Sequence, residues 1–129
     1  MTKPTLGDQE LLLLRHVAEA GPLTVGQAAE GFGERHGLAR STVLTVMERL
    51  RLKGYLTRRR VEGVFQYRSV EGADALLRGV VGEFVERTLS GSVSPFVAYL
   101  AEAGEEVSEA DLERLEALVR SLREKERKP

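Results

Sequence analysis

The stretch Leu38–Ser69, LARSTVLTVMERLRLKGYLTRRRVEGVFQYRS, limits the fold more than any other part of the chain. Within it Val43, Val46, Met47 and Leu50 recur at helical spacing, which predicts a helix from Arg40 to Lys53 with one stripe turned to a core. The opposite side carries Ser41, Thr42, Thr45 and Arg49, three short hydroxyls and one long cation. Gly54 closes the helix, because glycine enters the left-handed region that ends helices without steric cost. Two runs rich in β-branched and aromatic residues follow, Tyr55–Arg60 and Val64–Ser69, and Val61-Glu62-Gly63 is short enough to join them as a hairpin. A slim polar helix beside a hairpin carrying Arg58, Arg59 and Arg60 has the shape and charge of a winged helix-turn-helix that meets DNA.

The residues before this stretch complete that motif. Asp8–Ala20 reads as a first helix whose stripe is Leu11, Leu14, Val17 and Ala18, with Asp8 at the positive end of the dipole and Gly21-Pro22 as its stop. Thr24 and Gln27 have capping-box spacing and open a second helix that runs to about Arg35. Gly26, Gly31 and Gly33 each weaken it by roughly 1 kcal/mol relative to alanine, so packing through Val25, Ala28, Ala29 and Phe32 must hold it. His36-Gly37 is the turn into the polar helix.

Beyond Ser69 the pattern is helical throughout. Gly72–Leu89 carries a broad stripe of Leu76, Leu77, Val80, Val81, Phe84 and Val85, and Ser90-Gly91-Ser92 reads as a linker. Ser94–Ala103 is a short helix with Pro95 in its first turn, presenting Phe96, Val97 and Leu100; Gly104 ends it. Ser108, backed by Asp111, caps a last helix in which Leu112, Leu115, Val119 and Leu122 form an a/d-type seam with Leu118 beside it. The tail Arg123–Pro129 is charged and is expected to fray. These stripes exceed what three short helices can cover for one another. The sequence therefore predicts a homodimer joined through Phe96, Val97, Leu100, Leu112, Leu115, Val119 and Leu122. The expected fold is mainly α with a small β wing: residues 1–70 a winged-helix DNA-binding domain, residues 71–129 a helical dimerisation domain.

Charge follows the same division. The net charge is −1, yet residues 1–70 hold 11 Lys/Arg against 7 Asp/Glu (+4) and residues 71–129 hold 8 against 13 (−5). Between Arg40 and Arg68 stand 8 basic residues and only Glu48 and Glu62, a local +6 suited to a phosphate backbone. There is no cysteine, which removes disulfides, thiolate metal sites and thiol catalysis. His16 and His36 have no carboxylate or second histidine at ligand spacing, and read as structural or solvated. The acidic set Glu105, Glu106, Glu109, Asp111 and Glu113 reads as the enriched N-terminus of an exposed helix, so no metal or other cofactor is expected. No Ser/His/Asp set, glycine-rich phosphate loop or paired carboxylate indicates an enzyme. The opening MTKPTLGDQE has no apolar core of a secretory leader and Leu11–Leu14 is far too short to span a bilayer, so a cytoplasmic protein is expected. A different class stays open at this stage: the same fold serving as a protein–protein interaction module in a larger assembly, its basic stripe meeting an acidic partner.

Several motifs resemble the penicillinase-repressor family, which includes the methicillin-resistance and copper-transport repressors (BlaI/MecI/CopY type). They are Leu6-Gly7-Asp8 before an apolar helix, Arg40-Ser41-Thr42-Val43-Leu44-Thr45 running on to Arg49-Leu50, then Lys53-Gly54-Tyr55-Leu56, Glu62-Gly63 and Phe65-Gln66-Tyr67. The likeness extends over nearly the whole chain and is specific from about Thr42 to Tyr67. It implies a dimeric repressor on a double-stranded DNA operator with inverted half-sites. Ser41, Thr42, Thr45 and Arg49 would lie toward the groove, flanked by Arg40 and by Arg58, Arg59 and Arg60 of the wing. Family members that answer β-lactams are inactivated by a protease that cuts in the dimerisation region; the equivalent bond here is Ala98-Tyr99, with Ala98 departing from the usual residue. Ala39 stands where the family often has a capping serine, a loss of typically ~1 kcal/mol. Leu44 stands at a position often polar in the family, where it either touches a thymine methyl or tucks sideways. No cysteine motif follows the last helix, unlike the copper-sensing branch.

Overall fold

A computed structural model describes residues 6–127. Helix α1 is Asp8–Ala20; α2 runs continuously through residues 25–36; α3 is Arg40–Leu52. Strands β1 (Leu56–Val61) and β2 (Val64–Ser69) form an antiparallel hairpin, and α4 (Ala73–Arg87), α5 (Ser94–Glu102), a 3₁₀ turn (Gly104–Glu106) and α6 (Glu109–Arg127) complete the order. The chain divides into two compact units, one ending at Val81 and the other beginning at Gly82, inside α4. Residues 1–5, part of the stretch read as free of a leader, and residues 128–129, the end of the tail expected to fray, lie outside the described residues.

The first unit is a winged helix around one core. Leu13, Leu14 and Val17 of α1 meet Ala28 and Phe32 of α2, and Val43, Val46, Met47 and Leu50 of α3. Leu56, Tyr67 and Leu76 close it from the hairpin and the start of α4. Within α1 the buried stripe is centred one residue away from the expected one: Leu13 is buried, while Leu11 and Ala18 are only partly so. Four consecutive leucines give spacing no means of choosing among them; contact with α2 and α3 makes the choice.

Local chemistry shapes each helix end. Thr24 Oγ1 accepts from the Gln27 N–H at 3.1 Å while Gln27 Oε1 accepts from the Thr24 N–H at 2.9 Å, a complete capping box. The Glu10 carboxylate accepts from the Gly7 N–H at 2.9 Å and from Lys53 Nζ at 2.8 Å, so one side chain caps α1 and ties it to the end of α3. Ala39 stands at the N-cap of α3 with no side-chain bond to it. At the other end the Tyr55 N–H donates to Leu50 O and the Gly54 N–H to Arg51 O, with Gly54 at φ 90°: a Schellman stop.

Helix α2 is not regular. Val25–Ala28 is α-helical, Ala29–Gly33 is a π turn, and Glu34–His36 returns to α geometry before Gly37 at φ 66°. The wider turn falls among glycines, and a Cβ on Gly33 would lie 3.0 Å from Leu38 O and 3.2 Å from a Val43 methyl. It seats Phe32 between two imidazoles, His36 stacked at 4.2 Å and His16 tilted at 5.7 Å between ring centroids. Arg35 donates to His16 Nδ1 at 3.1 Å, so that nitrogen is unprotonated, since arginine cannot accept. Burial, with the Arg35 charge next, holds the His16 pKa below its ordinary value.

In the second unit Phe84 meets Phe96 edge to face at 6.2 Å. Ser90-Gly91-Ser92, expected as a linker, is a hydrogen-bonded turn: Ser90 and Gly91 take φ of 53° and 82°, and the Gly91 N–H donates to Val85 O at 2.8 Å. Ser108 Oγ accepts from the Asp111 N–H at 3.1 Å and starts α6. That helix continues to Arg127, so residues 123–127 are helical where fraying was expected. Among the described residues after Val81, none is buried. No helix among the described residues is long and apolar enough to cross a membrane.

Candidate nucleic-acid interface

The alternation of a strand decides which wing residues can face helix α3. In the hairpin Leu56 pairs with Ser69, Arg58 with Tyr67 and Arg60 with Phe65, so these six share one face. Leu56 and Tyr67 are buried on the core, and Arg58 and Arg60 continue the same face outward along the strand. Arg59 pairs with Gln66 on the other face. The three arginines, read from the sequence as one cluster, therefore do two different things.

Arg58 and Arg60 are organised by an aromatic ring and an acid. Both guanidinium groups lie over Phe65, at 4.1 and 4.9 Å from its centroid. Arg58 Nη1 also donates to Glu48 Oε1 at 3.0 Å. Glu48 accepts from Arg51 as well, at 2.9 and 3.1 Å, and from the Tyr67 hydroxyl at 2.8 Å. Helix α3 and both strands thus meet at one carboxylate. Hydrogen bonding from Arg51, with Tyr67 adding to it, holds the Glu48 pKa below its ordinary value against partial burial. Burial, with the neighbouring carboxylate, raises that of Tyr67. Sequence spacing alone gave Glu48 no role; its signal lies in the combination of a lone acid on the polar side of α3 and an inward-facing Arg58 ten residues later in the wing.

Between α3, the start of α2 and the wing tip lies an open cleft of about 770 Å³. Arg40, Ser41, Leu44 and Glu48 line it from α3, Thr24 to Gly26 from α2, and Arg58 with residues 63–65 and Tyr67 from the hairpin. The Arg40 guanidinium lies over Gly26, within 3.8 Å of where a Cβ would be. Thr42, Thr45 and Arg49 are exposed on α3 outside the cleft. The Thr45 hydroxyl donates to Ser41 O at 3.0 Å, so on this exposed residue the oxygen is left to act as an acceptor. Arg40, Arg49, Arg59 and Arg60 make no ion pair among the described residues, whereas Arg51 and Arg58 are committed to Glu48. The local excess of positive charge is thus carried by fewer side chains than a count of residues implies.

This constellation sits on a recognisable chain. The family model for the penicillinase repressor matches residues 6–121. The chain belongs to that family. Two curated relatives, each named transcriptional regulator BlaI and from the Mycobacterium tuberculosis strains CDC 1551 / Oshkosh and ATCC 25618 / H37Rv, are 35% identical over 77 residues. The match takes in 59% of this chain and 56% of each relative, so it spans little more than half their length. Among solved structures, a MarR family protein from Bacillus stearothermophilus is similar at a TM-score of 0.50 and 22% identity, over 97% of this chain and 78% of that one. The YusO protein from Bacillus subtilis reaches 0.52 at 19% identity, over 92% and 75%. Those likenesses are of fold.

The residues expected to join two copies all belong to the second unit of this penicillinase-repressor-family chain. Phe96 and Leu115 are half-buried there, and Val97, Leu100, Leu112, Val119 and Leu122 are exposed. Ala98 and Tyr99, the candidate cleavage point, are exposed in the middle of α5. Among the described residues no group of three or more His, Asp or Glu is placed to hold a metal ion.

Proposed function

We propose that this chain is a dimeric, sequence-specific DNA-binding transcriptional regulator, a repressor of an inverted-repeat operator. The observation that carries it is the exposed hydroxyl-and-arginine face of α3, Ser41, Thr42, Thr45 and Arg49, set beside a wing bearing Arg59 and Arg60. A helix of this kind enters the major groove by its N-terminal half while a hairpin follows the backbone. Family membership and relatives named as transcriptional regulators support the same reading. For the dimer the support is energetic. Val97 is 64% exposed and Leu122 51%, and burying apolar area of this kind contributes about 25 cal/mol per Å². A second copy, carrying the same stripes about a two-fold axis, can cover them and present two reading helices to inverted half-sites. Cleavage at Ala98-Tyr99 within α5 would release the DNA by destroying that interface, without touching a reading residue.

The test is selection of bound duplexes from a random pool by the full chain, followed by titration with salt. The expected result is an inverted repeat with half-sites about one helical turn apart, whose affinity falls steeply as salt rises. Recovery of no preferred sequence together with salt-insensitive retention on DNA sinks the proposal.

A further inference from the structure

We infer that Leu44 is a specificity-determining residue that reads the 5-methyl group of a thymine in the major groove. The inference rests on the DNA-binding reading of α3 and adds to it a base identity.

The polar side of α3 presents a row at helical spacing: Ser41, Leu44, Thr45 and Glu48. Three of the four are polar. Leu44 is 43% exposed, although Val43, Val46, Met47 and Leu50 of the same helix are all buried, so it is not turned into the core. It lines the cleft beside Arg40 and Ser41, and Val64, 53% exposed, stands at the wing tip on the far side. Its position in the first half of α3 is the part of a reading helix that reaches base edges. Leu52, also exposed, lies at the C-terminal end and has no such position.

The neighbours of Leu44 narrow the choice of base. Glu48, one turn further on, would be the natural acceptor for a cytosine amine. Its oxygens already receive Arg51, Arg58 and Tyr67, so it is not available to one. Thr45 has given its proton to Ser41 O. At this point of the row the protein offers a branched apolar surface. On the major-groove edges of the four bases, the one apolar group is the thymine methyl. A leucine placed against it removes both from water, while a leucine against the amine or carbonyl of another base leaves that polar atom without a partner.

The experiment begins with duplexes selected by the wild-type full chain from a random pool. The tightest is resynthesised with uracil in place of thymine, one symmetric pair of positions at a time, which removes a methyl and nothing else. At one pair of positions uracil should weaken wild-type binding by about fourfold per half-site, the worth of one buried carbon. Leu44→Ala should bind thymine and uracil duplexes equally at that position, with the salt dependence of wild type. Because Leu44 is exposed and alanine favours helix, the variant should fold; an unchanged circular dichroism spectrum and melting temperature check this. Equal wild-type affinity for thymine and uracil at every position overturns the assignment, as does a Leu44→Ala variant that keeps the uracil penalty; in both cases the DNA-binding reading stands. A wild-type chain that selects no duplex overturns both.

Discussion

At the scale of single residues, the interface separates side chains that offer charge from those that hold shape. Arg49 is exposed on α3 and shares in the field that lowers Glu10 without a salt bridge to it, so Arg49→Ala should weaken specific and random duplexes alike and reduce the slope of affinity against salt by about one. Thr45→Ala should relax one half-site position by about 1–3 kcal/mol and leave random DNA unaffected; equal losses on both would remove Thr45 from the readers. Glu48 is different, because it receives the buried Tyr67 hydroxyl. Glu48→Ala leaves that hydroxyl without an acceptor and should cost about 1–3 kcal/mol in denaturant unfolding. The sign of its pH dependence follows from the direction of its pKa. A carboxylate held below the ordinary 4.5 in the fold contributes stability that is present above that value and lost as pH falls through the folded one. Glu10, lowered chiefly by Lys53, acts in the same direction. Glu48→Gln keeps an acceptor for Tyr67 but cannot titrate, so its stability should fall less than wild type between pH 5 and pH 3. An identical acid limb in the two proteins would show that the network does not couple to folding.

At the scale of elements, the hairpin shows how a local rule meets a tertiary one. Its loop is Glu62-Gly63 with φ of 52° and 81°, positive at both positions as a type I′ turn requires. Glycine accepts this freely, whereas glutamate carries strain of roughly 1 kcal/mol. Glu62→Asn should therefore raise unfolding stability by up to about 1 kcal/mol, and Gly63→Val should lower it by at least as much, both read by denaturant melts. The hairpin was legible in the sequence because its strands are β-branched and its connection short. The division of labour among Arg58, Arg59 and Arg60 was not, because the period of two separates them only once Leu56 and Tyr67 are seen to face the core. The π turn of Ala29–Gly33 was not legible. Glycines announce a weak helix without saying how it yields; in the fold the wider turn coincides with Phe32 packed against His16 and His36.

At the scale of the molecule, the described residues of the first unit enclose a buried core and those of the second do not. Among the described residues, the twelve buried apolar side chains, from Leu13 to Leu76, fall in the first unit. The helices after Val81 keep apolar stripes without buried positions, and α6 carries its seam with acids and arginines on its other sides. Leu115→Asp with Leu122→Asp places charge in that seam. The double variant should sediment as a monomer and keep the cooperative melt of the first unit. Its affinity for a selected operator should fall by orders of magnitude, since the second half-site is no longer held nearby. A double variant that is still dimeric, or a wild type that is monomeric at micromolar concentration, would overturn the dimer.

The sequence by itself determined the winged helix: apolar period, capping pairs and turn glycines are local devices, and each acts within a few residues of where it is written. It also determined the polarity of α3 and the opposition of charge between the two halves. Only the tertiary structure decided which cations remain unpaired. Glu48 lies ten residues before Arg58 and nineteen before Tyr67, and no spacing rule joins a helix to the face of a strand. The same holds for Leu44. An apolar residue on a polar side reads equally as buried or presented until the core is built around its neighbours, and here that core leaves it facing outward.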